Sequence, residues 1–313
     1  MENFIFSLNV TIPVFLVILL GWILMQKNFL TKEFTRVADK YVFKIALPAL
    51  LFKDIATADI SKVFDLKFVL FCMITTTIMF MGTWLLTYIF MRDKSMVGAF
   101  TQAAARGSAA VLGIAFVENI YGDSGMAPLM IVSAVPLYNI FSVIILTFSA
   151  HNQQNKGNIK KAFINILKNP IILGIFAGLP FSVLGIKVPE IPLTAISGVA
   201  ASATPIALIT IGAGFEGRKA ITKVKPTLIA TFIKLIVIPA LFFPAAIAIG
   251  FRNSELVAIL IMLGSPTTVT CYIMAKNMEN DEVLTSSIVV MATLLSSITL
   301  TLWVFLLKSM ALI

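Results

Sequence analysis

Residues 98–125 read GAFTQAAARGSAAVLGIAFVENIYGDSG, and residues 259–277 read ILIMLGSPTTVTCYIMAKN. Both are apolar runs, and both are interrupted midway. In the first, Arg106, Gly107 and Ser108 follow a row of small residues, and Gly113 comes soon after. In the second, Gly264, Ser265 and Pro266 precede Thr267, Thr268 and Thr270. Proline removes a backbone donor and clashes with the preceding turn. Glycine weakens helix continuity. Irregular backbone at membrane depth persists only where protein or a wet cavity satisfies its polar groups. Two such breaks predict a site where unwound segments cross and half-helix N-termini face an anion. Two merely kinked helices are the alternative.

The rest of the chain supports a membrane setting. Of 313 residues, 59% are hydrophobic and 12% charged, with 25 Phe and one His; the mean hydropathy is +0.98. Soluble domains carry about 45–50% apolar and about 25% charged residues. A water-soluble enzyme, a nucleic-acid binder and a disordered chain are excluded. The N-terminus has no basic region before an apolar run of more than 20 residues, so it reads as an uncleaved first span. Cys72 and Cys271 form no disulfide or metal spacing.

A span needs about 20 mostly apolar residues. Ten candidates follow: 3–25, 41–57, 67–91, 96–119, 127–149, 163–185, 193–214, 226–250, 255–275 and 284–307. With the N-terminus outside, fifteen Lys and Arg fall on inner connections and six on outer ones. Lys44, Arg106 and Lys234 remain within spans. This asymmetry satisfies the positive-inside rule and turns both termini outward, toward the extracellular or periplasmic side. A shift of 156–157 residues lays Pro48 on Pro205, span three on span eight, and one broken segment on the other. Five spans per half make the halves opposite in orientation. The expected architecture is an all-α polytopic membrane protein. Ten transmembrane helices form two inverted five-helix repeats, residues 1–150 and 163–313, joined by a cytoplasmic linker at 151–162, with broken helices four and nine crossing. Inverted five-span repeats are a mark of secondary transporters.

The charges inside the spans sharpen this expectation. Arg106 lies about twelve residues into its span, ~18 Å if helical. Its planar fork suits a carboxylate; a tie to backbone carbonyls at the break is the structural alternative. Lys234 either balances charge near the site or snorkels inward, whereas Lys44 lies close enough to the interface to snorkel. All fifteen acids sit in loops or at span ends, with Asp54 and Glu118 closest to the membrane. The buried formal charge is therefore positive, and an anion is the expected substrate. Asn139 is a candidate to face the crossing from span five, beside Tyr138. Thr293, Ser296 and Ser297 form a polar set in span ten. Tyr272 either stacks on a substrate or packs. His151 lies in a loop, and no HExxH or metal-ligand cluster occurs, so no cofactor, metal or covalent catalysis is expected.

LPALLF, RGSAAVLGIAFVENIYGDSG, KLIVIPALFFPAAIAIG and GSPTTVTCYIMAKN together resemble the auxin efflux carrier family over nearly the whole chain. The family spans plant auxin exporters and bacterial permeases for malate and malonate. The long plant loop is missing, so a bacterial permease in the plasma (inner) membrane is the closer likeness. The resemblance implies a scaffold of spans one, two, six and seven beside a mobile bundle of the other six. It also implies elevator-like motion and a substrate carboxylate at the crossover. It carries Ser108, Gly113, Ala115, Pro266 and Cys271 into the site. Ala115 and Cys271 stand where the family's crossing prolines stand, and Ser108 where it has Asn. Plant members also tend to have a basic residue at the place of Lys234. A homodimer through the scaffold is the implied assembly. The function read here is a permease for a small organic anion, such as malate, malonate or an auxin-like acid. A sodium- or proton-coupled carrier of the same crossover fold is the alternative; a channel and a membrane enzyme are the rivals from other classes.

Overall fold

A computed structural model describes residues 2–57, 65–150, 159–215 and 217–313. The structure is 84% helical. The first half contains α1 (Glu2–Gln26), α2 (Lys32–Tyr41), α3 (Leu47–Ala56), α4 (Leu66–Phe90), α5 (Val97–Ala105), α6 (Ala109–Tyr121) and α7 (Ala127–Ser149). The second contains α8 (Ile159–Leu167), α9 (Pro170–Leu184), α10 (Glu190–Ala201), α11 (Ala203–Ala213), α12 (Gly217–Thr222), α13 (Val224–Phe232), α14 (Ile238–Ile249), α15 (Asn253–Gly264), α16 (Thr270–Asn277) and α17 (Glu282–Ser309). One wide π turn, Val42–Ala46, joins α2 to α3, and another, Ile233–Val237, joins α13 to α14. Most of the expected linker, with His151, lies outside the described residues; α8 opens at Ile159.

Among the described residues, five continuous stretches are long and apolar enough to cross a bilayer: Leu66–Phe90, Ala127–Ser149, Glu190–Ala213, Val224–Ile249 and Glu282–Ser309. Of the other expected spans, the first lies on α1, a single helix of 25 residues, and the rest fall on shorter or interrupted helices. A window of apolar residues registers composition, and the breaks do not change it. Span two is longer than expected. The stretch leading into it, expected as a loop, is helix α2, started by Thr31, whose side chain accepts from Phe34 N at 3.1 Å. Span six is shorter than expected. Asn169 caps α9 by accepting from Ile171 N at 3.0 Å, and Pro170 follows at the first helical position. Large apolar side chains such as Leu85, Phe90, Ile191, Leu241 and Phe305 point outward. An outer surface of this kind suits lipid rather than water.

Two helix pairs pack with little more than backbone between them. α1 lies on α11, and α3 on α9. A Cβ on Gly21 would strike the backbone of Ile209, and one on Gly178 would stand 3.0 Å from Phe52 O. Gly178 follows Gly21 by 157 residues and Ile209 follows Phe52 by 157, so the two approaches exchange partners under the shift found in the sequence. Small residues allow this closeness, and lipid supplies no hydrophobic drive to replace it. Gly21→Val and Gly178→Val are expected to cost about 1–3 kcal/mol each through overpacking. Gly82→Ala, with open space around its Cβ, serves as the neutral control. Melting of the detergent-purified chain checks this; equal midpoints for all three variants would rule out the backbone contact.

Candidate functional site

The two breaks meet. α5 ends at Ala105, and Arg106 turns extended (φ −81°, ψ 126°) before α6 starts at Ala109. α15 ends at Gly264, and Ser265 turns extended (φ −65°, ψ 153°), as a residue before proline prefers. The released segments pair antiparallel, Gly107 against Thr267. Ser108 N donates to Pro266 O at 2.9 Å. Thr267 Oγ1 donates to Ala103 O at 2.7 Å, and Gln102 Nε2 donates to Cys271 O at 2.7 Å. A side chain on Gly107 would collide with Ser265 Oγ. Glycine is required there by proximity, since its φ is not positive.

Lys234 lies behind this crossing, fully buried, on the π turn between α13 and α14. Its ammonium donates to Ala105 O at 3.3 Å and to Leu263 O at 2.7 Å. These carbonyls belong to the C-terminal turns of α5 and α15, where no further helical amide follows and the dipole is negative. Lys234 therefore does not snorkel. One cation closes two helix ends at once. The neighbouring π turn is held as well: Trp303 Nε1 donates to Leu235 O at 2.9 Å.

In front of the crossing is a cavity of ≈ 270 Å³. Its polar wall holds Arg106, Gly107, Ser108, Pro266, Thr267, Thr268 and Thr270, with Tyr138 and Thr293 from neighbouring helices. The first turns of α6 and α16 both border it, through Ala110 and Thr270. Arg106 is 4% exposed; Nη2 donates to Asn139 Oδ1 at 2.8 Å and Nη1 to Met274 Sδ at 2.9 Å. Asn139 is fixed in turn by donating to Val135 O at 2.9 Å. Among the described residues, neither Arg106 nor Lys234 has a carboxylate partner.

Not every candidate reaches the cavity. Gly113 faces α7, where an added Cβ would meet Met130 at 3.0 Å. Ala115 is on the exposed face of α6. Cys271 is buried behind the crossing and contributes its carbonyl to Gln102. Tyr272 belongs to another cluster. Lys276 Nζ donates to its hydroxyl at 2.9 Å and pairs with Asp39 Oδ2 at 2.7 Å, with Asp39 2% exposed. Asp39 is thus a buried acid, against the expectation that all acids sit in loops or at span ends. The residues that sequence reading missed are on α3. Leu47, Leu50, Leu51 and Asp54 line the cavity, with Val14 and Thr204 nearby. Their i, i+3, i+4, i+7 spacing is the signal that marks one helix face.

Removing the Lys234 ammonium leaves two buried carbonyls unbonded, each costing about 1–3 kcal/mol. Lys234→Met is expected to lower the melting midpoint by several degrees, whereas Lys44→Met, exposed on the π turn, leaves it unchanged. A Lys234→Met midpoint matching wild type would remove the clamp from the account.

Known proteins give a consistent picture. An uncharacterized transporter of Methanothermobacter thermautotrophicus is 24% identical over 308 residues, 96% of this chain and 98% of its own. The uncharacterized transporter YfdV of Escherichia coli is 25% identical over 274 residues, 83% of this chain and 84% of its own. The mouse lysosomal cholesterol signaling protein is 28% identical over 243 residues, 72% of this chain but 28% of its own length. A family model described as a membrane transport protein matches residues 6–304. With that match covering nearly its whole length, the chain belongs to the membrane transport protein family, that of the auxin efflux carriers.

Proposed function

We propose that this integral membrane transporter is a secondary carrier for a small organic anion, a mono- or dicarboxylate, and performs no covalent chemistry. The observation that carries this reading is Arg106, a buried guanidinium on the cavity wall whose bonded partners are both neutral. A buried charge without a counter-charge is costly. An anion entering the cavity relieves that cost and meets the positive ends of α6 and α16 at the same place. Serine and threonine hydroxyls beside Arg106 supply further donors.

Alternating access is the mechanism proposed. The halves 1–150 and 163–313 act as inverted repeats; the exchanged glycine contacts of Gly21 and Gly178 support this. α1, α2, α3, α9, α10 and α11 serve as the scaffold, and α4–α7 with α13–α17 as the moving bundle. The cavity borders α3 from Leu47 to Asp54, beyond the π turn. Asp39 and Lys276 join the two bodies on the opposite side of the crossing. An opening on one side and an ion pair on the other fits a carrier that exposes its site to one compartment at a time. The proposed setting is a bacterial inner membrane with both termini outside. A homodimer through the scaffold, and coupling to sodium or protons, belong to the same proposal.

Counterflow of labelled malate, malonate and indole acetate in proteoliposomes tests the reading, with and without ion gradients. Saturable exchange of at least one acid is expected. Arg106→Ala should abolish binding in a chain that still folds, and undiminished affinity would reject the assignment. Lys276→Gln is expected to leave affinity within about twofold while changing the exchange rate about fivefold or more, since an ion pair outside the cavity favours one state without touching substrate. Parallel loss of affinity would place Lys276 in the site itself.

A further inference from the structure

Among the described residues, Asp54 is the one carboxylate on the cavity wall. It ends the stripe Leu47, Leu50, Leu51, Asp54, which turns a single face of α3 into the cavity. Among the described residues it makes no hydrogen bond or close ion pair, and the charge of Lys53, its chain neighbour, acts on it. α16 packs against α2 and the π turn 42–46, which places the crossing toward the Leu47 end of this stripe. Seven residues of helix then separate that end from Asp54, a distance of ~10 Å. The cavity thus has a cationic pole at Arg106, an apolar middle of leucines, and an anionic pole at Asp54.

We infer that Asp54 sets substrate selectivity: the site favours an acid with a protonated amine at its far end and disfavours a dicarboxylate. This rests on the anion-carrier reading and narrows it. One carboxylate goes to the Arg106 pole, and a second at the other end would meet Asp54 as a like charge across a partly desolvated gap. An ammonium there gains an opposite charge and satisfies lone pairs that otherwise depend on water. A terminal methyl group gains neither and lies between the two.

Caproate, ε-aminocaproate and adipate differ only at the far end, and their length suits the span of the stripe. Their shorter counterparts are butyrate, γ-aminobutyrate and succinate. Affinities are measured by titration calorimetry on the full chain in detergent. Wild type is expected to bind the amino acid of each trio most tightly and the diacid most weakly. Asp54→Asn, nearly isosteric, should compress the amine-to-diacid ratio by about fivefold or more. Asp54→Lys should reverse the order and bring the diacid first. Ratios unchanged in Asp54→Asn, or a diacid preferred by wild type, would overturn the inference while leaving the anion site intact. Binding of none of the six acids to wild type would overturn the inference, whereas exchange of malate, malonate or indole acetate decides the carrier reading separately.

Discussion

Backbone groups released by a broken helix inside a membrane have no water to bond, and the structure is organised around meeting that demand. Each break frees carbonyls on one side and amides on the other. The carbonyl ends of α5 and α15 converge on the Lys234 ammonium. The extended residues between half-helices bond each other, through the Gly107–Thr267 pairing and the Ser108–Pro266 bond. The amide ends of α6 and α16 border the cavity. One side of the crossing is therefore satisfied internally by a cation, and the other faces the cavity. Neither half could hold this geometry alone, because each break uses the other as its bonding partner.

That arrangement separates two cations that look alike in the sequence. Lys234 is consumed by the protein, behind the crossing. Arg106 faces the cavity and is held by a soft sulfur and an amide oxygen, which orient its fork without neutralising it. The difference lies in the partners. A point charge on a flexible stem suits two converging carbonyls, and a planar fork suits a carboxylate. The close glycine contacts bring α1 onto α11 and α3 onto α9, backbone against backbone. The Asp39–Lys276 pair, with Tyr272, ties α2 to α16. A buried pair like this gives little net stability but fixes relative position.

The sequence by itself determined the class, the membrane setting and the two breaks. Apolar composition, charge asymmetry and the Gly–Ser–Pro interruption are local signals, written in the identity and order of neighbouring residues. It also singled out Arg106 and the threonines that the fold gathers around one cavity, and Asn139, which does not line the cavity but accepts from Arg106. Tertiary structure alone decided the rest. Gly113, Ala115, Cys271 and Tyr272 belong to the same motifs, yet face a helix, the outer surface or another cluster, because a helix turns residues through all directions within one motif. Lys234 gained its role from carbonyls 129 and 29 positions away. Asp54 appears in the sequence as a span-end acid, and only the rotation of α3 relative to the crossing makes it a wall of the cavity. Which face of a helix meets which partner is set by packing between distant segments, and no local pattern records it.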